Sequence, residues 1–318
     1  MGDYNEVRGT PTTYGSPIFR NHVPETSDAT VQTLLNNGAI VRAKSNVPEW
    51  AGGNTVNPVY GATRNPWNLN MSVVGSSGGS SAALASGQVW LATGNNLGGS
   101  LRTPASFNGI VGLRPTPPLV PRGKRLHTAD LLWVEGPLGR CVEDFALMLS
   151  AGAGHIHDDP LSYEGDVTAF TKVLLRQPSP RRIAFSRDLG QVAMEPKIAH
   201  ICESSMQKFS GLRTEITNDI SDFSGVMEGF QTLRALLLAV MMQPIWEQLR
   251  DQISPDIISN IERGFNLSVQ DVIKAEQIRA GIYNAMMTFF ETHNFLICPT
   301  ASVAPFPIEK RFIGEINE

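Results

Sequence analysis

An α/β fold with helices packed against a largely buried sheet is the class this sequence predicts, on three observations. Apolar runs of strand length alternate with stretches of helical periodicity, small residues concentrate between Gly75 and Gly112, and the composition suits a chain with a large core. Of the 318 residues 42% are hydrophobic and 18% charged, so disorder is not expected and the length suffices for one large domain, 1–318.

Residues 27–37 read as a helix, with Ser27 or Asp28 as cap, Val31, Leu34 and Leu35 on one face and Gly38 as the stop. The apolar run Ala39–Ala43 reads as a strand. The same alternation recurs in the helical Val142–Leu149 and the strand-like Arg182–Phe185 and Phe295–Cys298. Pro115–Pro121 and the Gly-, His- and Asp-rich stretch 152–166 read as irregular surface connections. An apolar helical segment covers 230–246, and a long helix runs from about Ser268, where Ser268 and Asp271 form a capping box, to about His293.

The formal net charge of −4 offers no basic face for nucleic acid or an anionic membrane. The longest apolar run, 235–242, is far short of the roughly 20 residues a membrane span needs. Neither a signal-peptide pattern in the first twenty residues nor a paired spacing of Cys141, Cys202 and Cys298 points to export, so a reducing, cytoplasmic setting and buried cysteines are expected. His155, His157, Asp158 and Asp159 lack the spacing of a metal site and read as a solvated loop; no metal and no cofactor are expected.

The chemistry concentrates in two serine–glycine clusters. Seven glycines fall between Gly75 and Ser100, which is most simply explained by backbone that must approach a ligand closely or adopt positive φ. In Asn96-Leu97-Gly98-Gly99-Ser100, two glycines before a serine let successive N–H groups turn toward one point beside its hydroxyl, an oxyanion hole. Gly75-Ser76-Ser77-Gly78-Gly79 precedes a small-residue helix over 80–87, whose N-terminal amides favour negative charge and whose hydroxyls could shuttle protons. A serine needs a base, yet no histidine lies within fifteen residues of either cluster, so a Ser-His-Asp arrangement is not suggested. Two plainer readings compete. A Gly-Ser-rich flexible linker is opposed by Val89-Trp90-Leu91 and Ile110-Val111, and a G-x-S-x-G elbow with Ser77 as nucleophile lacks a clear preceding strand. Trp50, Trp67 and Trp90 could line an acyl pocket, though packing in the core is the commoner fate.

The two clusters, with Arg102 and the following PASFNGIVGLRPT, resemble the amidase-signature family. The likeness extends to GTPTTYGS (9–16), NPVYGATRNPWN (57–68), EGPLGRCVEDFALML (135–149) and ICPTASVAPFPI (297–308). The resemblance implies α/β/α layers around a mixed β-sheet and a triad of serine, cis-serine and neutral lysine. Carried over, Ser100 is the acylated nucleophile and Ser76, after a cis Gly75–Ser76 peptide, the proton relay. The amides of Leu97, Gly98, Gly99 and Ser100 form the oxyanion hole, with Ser77, Asn96 and Arg102 supporting. The implied activity is hydrolysis of a small-molecule carboxamide without cofactor, nucleic acid or membrane, in a chain that could form a homodimer. An A-type subunit of glutamyl-tRNA amidotransferase and an inactive amidase-like binding protein are the alternatives.

The sequence departs from the family's pattern at three points. The triad lysine's position is Gly2, although Asp3 matches the aspartate beside it; Lys44 matches a structural position and not the base. Asn95-Asn96 stands where an aspartate is usual just before the apolar-Gly-Gly-Ser run, and Asn96 keeps the shape but loses the charge. The N-terminal helices and strand and the C-terminal part of the family fold are expected to be missing, and without the lysine feeble hydrolysis or none is expected.

Overall fold

A computed structural model describes residues 1–176 and 179–316. It is an α/β protein whose strands and helices alternate as the sequence pattern requires. Its residues cluster in two compact units. The first comprises Met1–Arg176, Val240–Ser259 and Pro305–Arg311, and the second the described residues of Gln177–Ala239, Asn260–Ala304 and Phe312–Glu318.

The first unit opens with α1 (Ala29–Asn36), which buries Val31 and Leu34; Asp28 stands at its N-cap position but makes no side-chain capping bond, its Oδ2 accepting instead from Glu6 N–H at 2.8 Å. Two small antiparallel pairs follow, β1 (Val56–Asn57) with β2 (Gly61–Ala62) and β3 (Arg64–Asn65) with β4 (Asn68–Ser72). Helix α2 (Gly78–Ala85) leads into β5 (Leu91–Asn96), and α3 (Thr103–Asn108) into β6 (Val111–Gly112). Strand β7 (Val134–Gly139) lies between β5 and β6, antiparallel to both, with all six of its residues buried. Helices α4 (Val142–Gly152) and α5 (Ala169–Arg176) complete the sequence-continuous part, Glu143 and Asp144 complementing the positive end of α4.

In the second unit β8 (Arg182–Phe185) is flanked by β9 (Glu215–Asn218) and β10 (Phe295–Ile297), all parallel. Helix α6 (Pro196–Met206) makes the crossover from β8 to β9. Helices α7 (Val226–Met242), α8 (Trp246–Leu249), α9 (Pro255–Phe265) and α10 (Val269–Phe289) follow along the chain; α8 and the start of α9 fall in the first unit, and most of α7, the rest of α9 and α10 in the second. The capping box at α10 is formed, Ser268 Oγ accepting from Asp271 N–H and Asp271 accepting from Ser268 N–H. A cavity of about 490 Å³ opens beyond the carboxyl ends of β8 and β9, lined by Phe185, Arg187, Asn218 and Asp219; no residue of either serine cluster lines it.

Four expectations are corrected. Ala39–Ala43 is not a strand: Ile40 is 90% exposed, and the parallel hydrogen bonding begins only at Ala43 and Ser45, which pair with residues 1–3 too briefly to count as a ladder. The two irregular segments are not simply surface, because Val120 and Asp159 are buried, and Asp159 is held by Arg125. Cys141 is exposed and Cys202 and Cys298 half-buried, so none of the three is a core residue. Trp67 and Trp90 are largely exposed.

Leu101 anchors the core beneath the second serine cluster. It is fully buried with Leu84, Ala92, Ala105 and Leu138. A Cβ added at Gly94 would come within 2.8 Å of its Cδ2, one at Gly136 within 2.7 Å of its Cδ1, and one at Gly112 within 2.1 Å of its carbonyl oxygen. Three glycines thus wall the slot that holds it. Leu101→Ala is expected to cost about 2–5 kcal/mol, read from urea denaturation, because a slot of backbone atoms cannot collapse onto the smaller side chain.

Candidate active site

The glycines of the first cluster are there for close backbone approach. A Cβ at Gly75 would meet Gly53 O at 2.1 Å, one at Gly78 would meet Thr55 Oγ1 at 2.2 Å, and one at Gly79 would meet Asn46 O at 2.3 Å. The neighbours are protein, not ligand, which refines the sequence expectation; positive φ accounts for Gly87 and Gly99. Small side chains at this seam allow α2 to lie against β5, with Ser77 Oγ donating to Asn95 O at 3.3 Å and Ser80 Oγ to Thr93 O at 2.8 Å.

The Gly75–Ser76 peptide is cis. Ser76 is buried and its hydroxyl donates to Asn95 Oδ1 at 3.1 Å. Ser100 follows β5 after three residues, Leu97, Gly98 and Gly99, and is half-buried. Among the described residues no hydrogen bond joins Ser76 and Ser100. What brings their segments together is Gly94, where a Cβ would meet both Ser77 Oγ, at 2.5 Å, and Leu101 Cδ2. The residues next to Ser76 and Ser100 therefore converge on one point of β5.

Asn96 closes the turn. It is fully buried, its Oδ1 accepts from Leu101 N–H at 3.2 Å, and its Nδ2 has no hydrogen-bond partner among the described residues. Arg102 and Thr103 donate their N–H groups back to Gly99 O. The N–H groups of Leu97, Gly98, Gly99 and Ser100 donate no hydrogen bond among the described residues. Gly99 has φ 127°, a conformation L side chains rarely adopt, so glycine is required at that point of the turn. Arg102 projects to solvent beside Arg114, whose pKa is lowered first by burial and then by the Arg102 charge.

Around the position of Gly2 the site is polar and carries no lysine; the neighbouring α-amino group of Met1, whose pKa burial lowers to about 6, donates to Ala43 O. Gly2 N–H donates to Thr93 Oγ1 at 3.2 Å, and Thr93 Oγ1 donates to Asn5 Oδ1 at 3.1 Å. Lys44 is turned elsewhere, pairing with Asp3 at 3.0 Å and donating to Thr12 Oγ1 at 2.8 Å. Burial lowers its pKa, and the Asp3 carboxylate opposes that. Two residues the sequence reading did not assign belong to this neighbourhood. Asn95 was visible only as a departure from pattern; Glu135, opposite Asn95 on β7, sits at the front of the EGPLG strand and had no signal beyond being an acid in an apolar run.

A family model described as Amidase matches residues 3–313, nearly the whole chain. The chain belongs to the amidase-signature family. An acylamidase of Rhodococcus erythropolis is 32% identical over 320 residues, 97% of this chain and 65% of that protein. The A-type subunit of the glutamyl-tRNA(Gln) amidotransferase of Cyanothece sp. is 30% identical, covering 94% of this chain and 68% of that protein. The chain thus spans about two thirds of the length of these relatives. Among solved structures, a bacterial aryl acylamidase of the amidase-signature enzymes superposes with a TM-score of 0.87 at 23% identity, over 96% of this chain and 65% of that one, a likeness of fold. Among the described residues no helix is long and apolar enough to cross a membrane, and no group of three His, Cys, Asp or Glu side chains could hold a metal.

Proposed function

We propose that this amidase-signature chain hydrolyses a small carboxamide through an acyl-enzyme on Ser100. The observation that carries the reading is the turn before Ser100, whose amides at 97–100 are free of internal acceptors and stand beside a half-buried hydroxyl. Amides fixed in this way stabilise the oxyanion of a tetrahedral intermediate, and each is worth about 10²–10³ in rate. Ser100 attacks the carbonyl, its proton passes to Ser76, and Ser76 returns a proton to the departing amine; water then cleaves the ester. Asn96, Ser77 and Arg102 support the turn and the α2 seam, with both units part of one amidase-signature domain.

The weak point is the exit for Ser76's proton. Asn95 Oδ1 accepts a hydrogen bond but is no base near neutral pH, and Gly2 supplies none either. Slow acylation is the expected behaviour. The formal charge of −4 supports a setting without nucleic acid, and we place the chain in the cytoplasm, with a homodimer as its assembly.

Incubation with a fluorophosphonate and intact-mass analysis tests the reading. One adduct is expected on the native chain and none on Ser100→Ala; equal labelling of both would remove Ser100 as nucleophile. The similarity to A-type subunits of amidotransferases favours a second reading, amide transfer within a larger assembly. Turnover of glutamine that appears only with partner proteins would select it over the free amidase.

A further inference from the structure

We propose that Glu135 is a positioning residue for the relay serine, its ionised carboxylate turning Asn95 so that Oδ1 faces Ser76. The proposal rests on the roles of Ser76 and Ser100 given above. Glu135 stands directly opposite Asn95 in the β5–β7 ladder. Directly opposed side chains in an antiparallel pair project to the same face with Cβ atoms about 4.5–5.5 Å apart. Asn95 uses that face to receive Ser76 Oγ at 3.1 Å.

Glu135 is buried, and only one of its oxygens is accounted for. Oε1 accepts from Trp133 Nε1–H at 3.1 Å, while Oε2 is buried with no hydrogen-bond partner. An acceptor left open in a filled interior calls for a reason. Two side-chain amides are near enough to serve it: that of Asn5, which favours the carboxylate, and that of Asn95, directly opposite across the ladder.

The surroundings place the charge change of Glu135 near neutrality. Burial pushes its pKa up to about 7; Arg122, Trp133 and Asn5 favour the carboxylate and Asp28 opposes it. Arg122 is itself shared with Asp130, and Asp28 lies near Glu6 and the Lys44–Asp3 pair. Above its pKa Glu135 can only accept, so Asn95 meets it with Nδ2 and keeps Oδ1 on Ser76. The Ser76 proton is then held toward Asn95, and its lone pairs are left for the proton of Ser100. Below the pKa the carboxylic acid has a proton to donate, competes with Ser76 for Oδ1, and loosens the relay. No bond beyond the O–H of Glu135, which exchanges with solvent, is made or broken.

Glu135→Gln, which can donate at every pH, tests this in two ways. With the native chain the rate of Ser100 labelling should rise about tenfold from pH 6 to pH 8, the direction expected when the ionised form is the competent one. In Glu135→Gln it should stay flat at the low-pH level, with folding checked by circular dichroism; an unchanged rising profile in the variant, or a flat one in the native chain, overturns the proposal. Independently, in Ser100→Ala the Asn95 side-chain amide resonances should titrate with a midpoint near 7 and lose that titration when Glu135→Gln is added. Resonances that do not move overturn the proposal whatever Ser100 does. Titrating resonances in a chain whose Ser100 never reacts uphold the positioning role and reject the nucleophile.

Discussion

Lysine at position 2 is expected to raise the rate of amide hydrolysis by about 10²–10⁴-fold, the range over which general-base assistance acts. The site has room: a Cβ at Gly2 finds Val47 Cγ1 at 3.8 Å and Asn5 Oδ1 at 4.0 Å, ordinary contacts. It also has direction. Gly2 N–H bonds Thr93 Oγ1, and Thr93 lies two residues before Asn95 on the same face of β5, about 7 Å along the strand. The four-carbon stem of lysine is suited to that gap, and Ser76 waits at its end on Asn95. Burial disfavours an ammonium, as it does at Lys44, so the new amine should act in its neutral form and the rate should climb with pH. Anilide turnover by Gly2→Lys, set against Gly2→Met as a filler of similar bulk without a base, measures the effect. A lysine variant no faster than the methionine one would show that the missing base does not limit the chain.

Asp159→Ala is expected to lower stability by about 3–5 kcal/mol, the usual consequence of removing one partner of a buried ion pair. Asp159 is fully buried, takes Arg125 Nη2 on both oxygens at 2.8 and 2.9 Å, and accepts the N–H groups of Arg122 at 2.9 Å and Leu161 at 3.2 Å. Truncation strands the Arg125 guanidinium, whose Nε already lacks a partner. The neighbouring Asp158→Ala, which breaks only a 3.9 Å contact between exposed side chains, should leave the melt unchanged. The pH dependence follows from the same geometry. Burial alone would raise the Asp159 pKa, but the Arg122 amide and Arg125 outweigh it and hold it below the ordinary value. A carboxyl depressed in the folded state stabilises it above the unfolded pKa, and that contribution fades as pH falls through the folded one. Thermal melts of the native chain and Asp159→Ala should therefore converge in acid, and a constant difference down to low pH would exclude the ion pair as the cause.

The same loop shows why part of the fold could be read in advance and part could not. Local signals were enough where one segment decides its own structure: the Ser268–Asp271 box and the strands at Arg182 and Phe295 all formed as their residues suggest. Burial of Asp159 depends on Arg125, 34 residues away, and nothing in a Gly-, His- and Asp-rich run reveals that partner. Ala39–Ala43 has strand composition, but a strand needs a neighbour, and only its last residue finds one. At the site, the turn before Ser100 was legible because glycine spacing is a local property of backbone. The hydrogen bond of Ser76 to Asn95, 19 residues on, and the ladder register of Asn95 with Glu135, 40 residues on, were not, because neither leaves a pattern in the segments it joins.

The slot around Leu101 ties the identity of one side chain to three distant glycines. A lineage that enlarged Gly94, Gly112 or Gly136 would push on the residue next to Ser100 before it touched the serine itself. At Gly112 the obstacle is the Leu101 carbonyl oxygen itself, which no change of the leucine side chain relieves, while at Gly94 and Gly136 a smaller residue at 101 would relieve only part of the clash, Ser77 and the Leu113 carbonyl remaining in the way. The placing of the proposed nucleophile is in that sense a matter of packing, with the Ser100 hydroxyl held where it is by the hydrocarbon beside it.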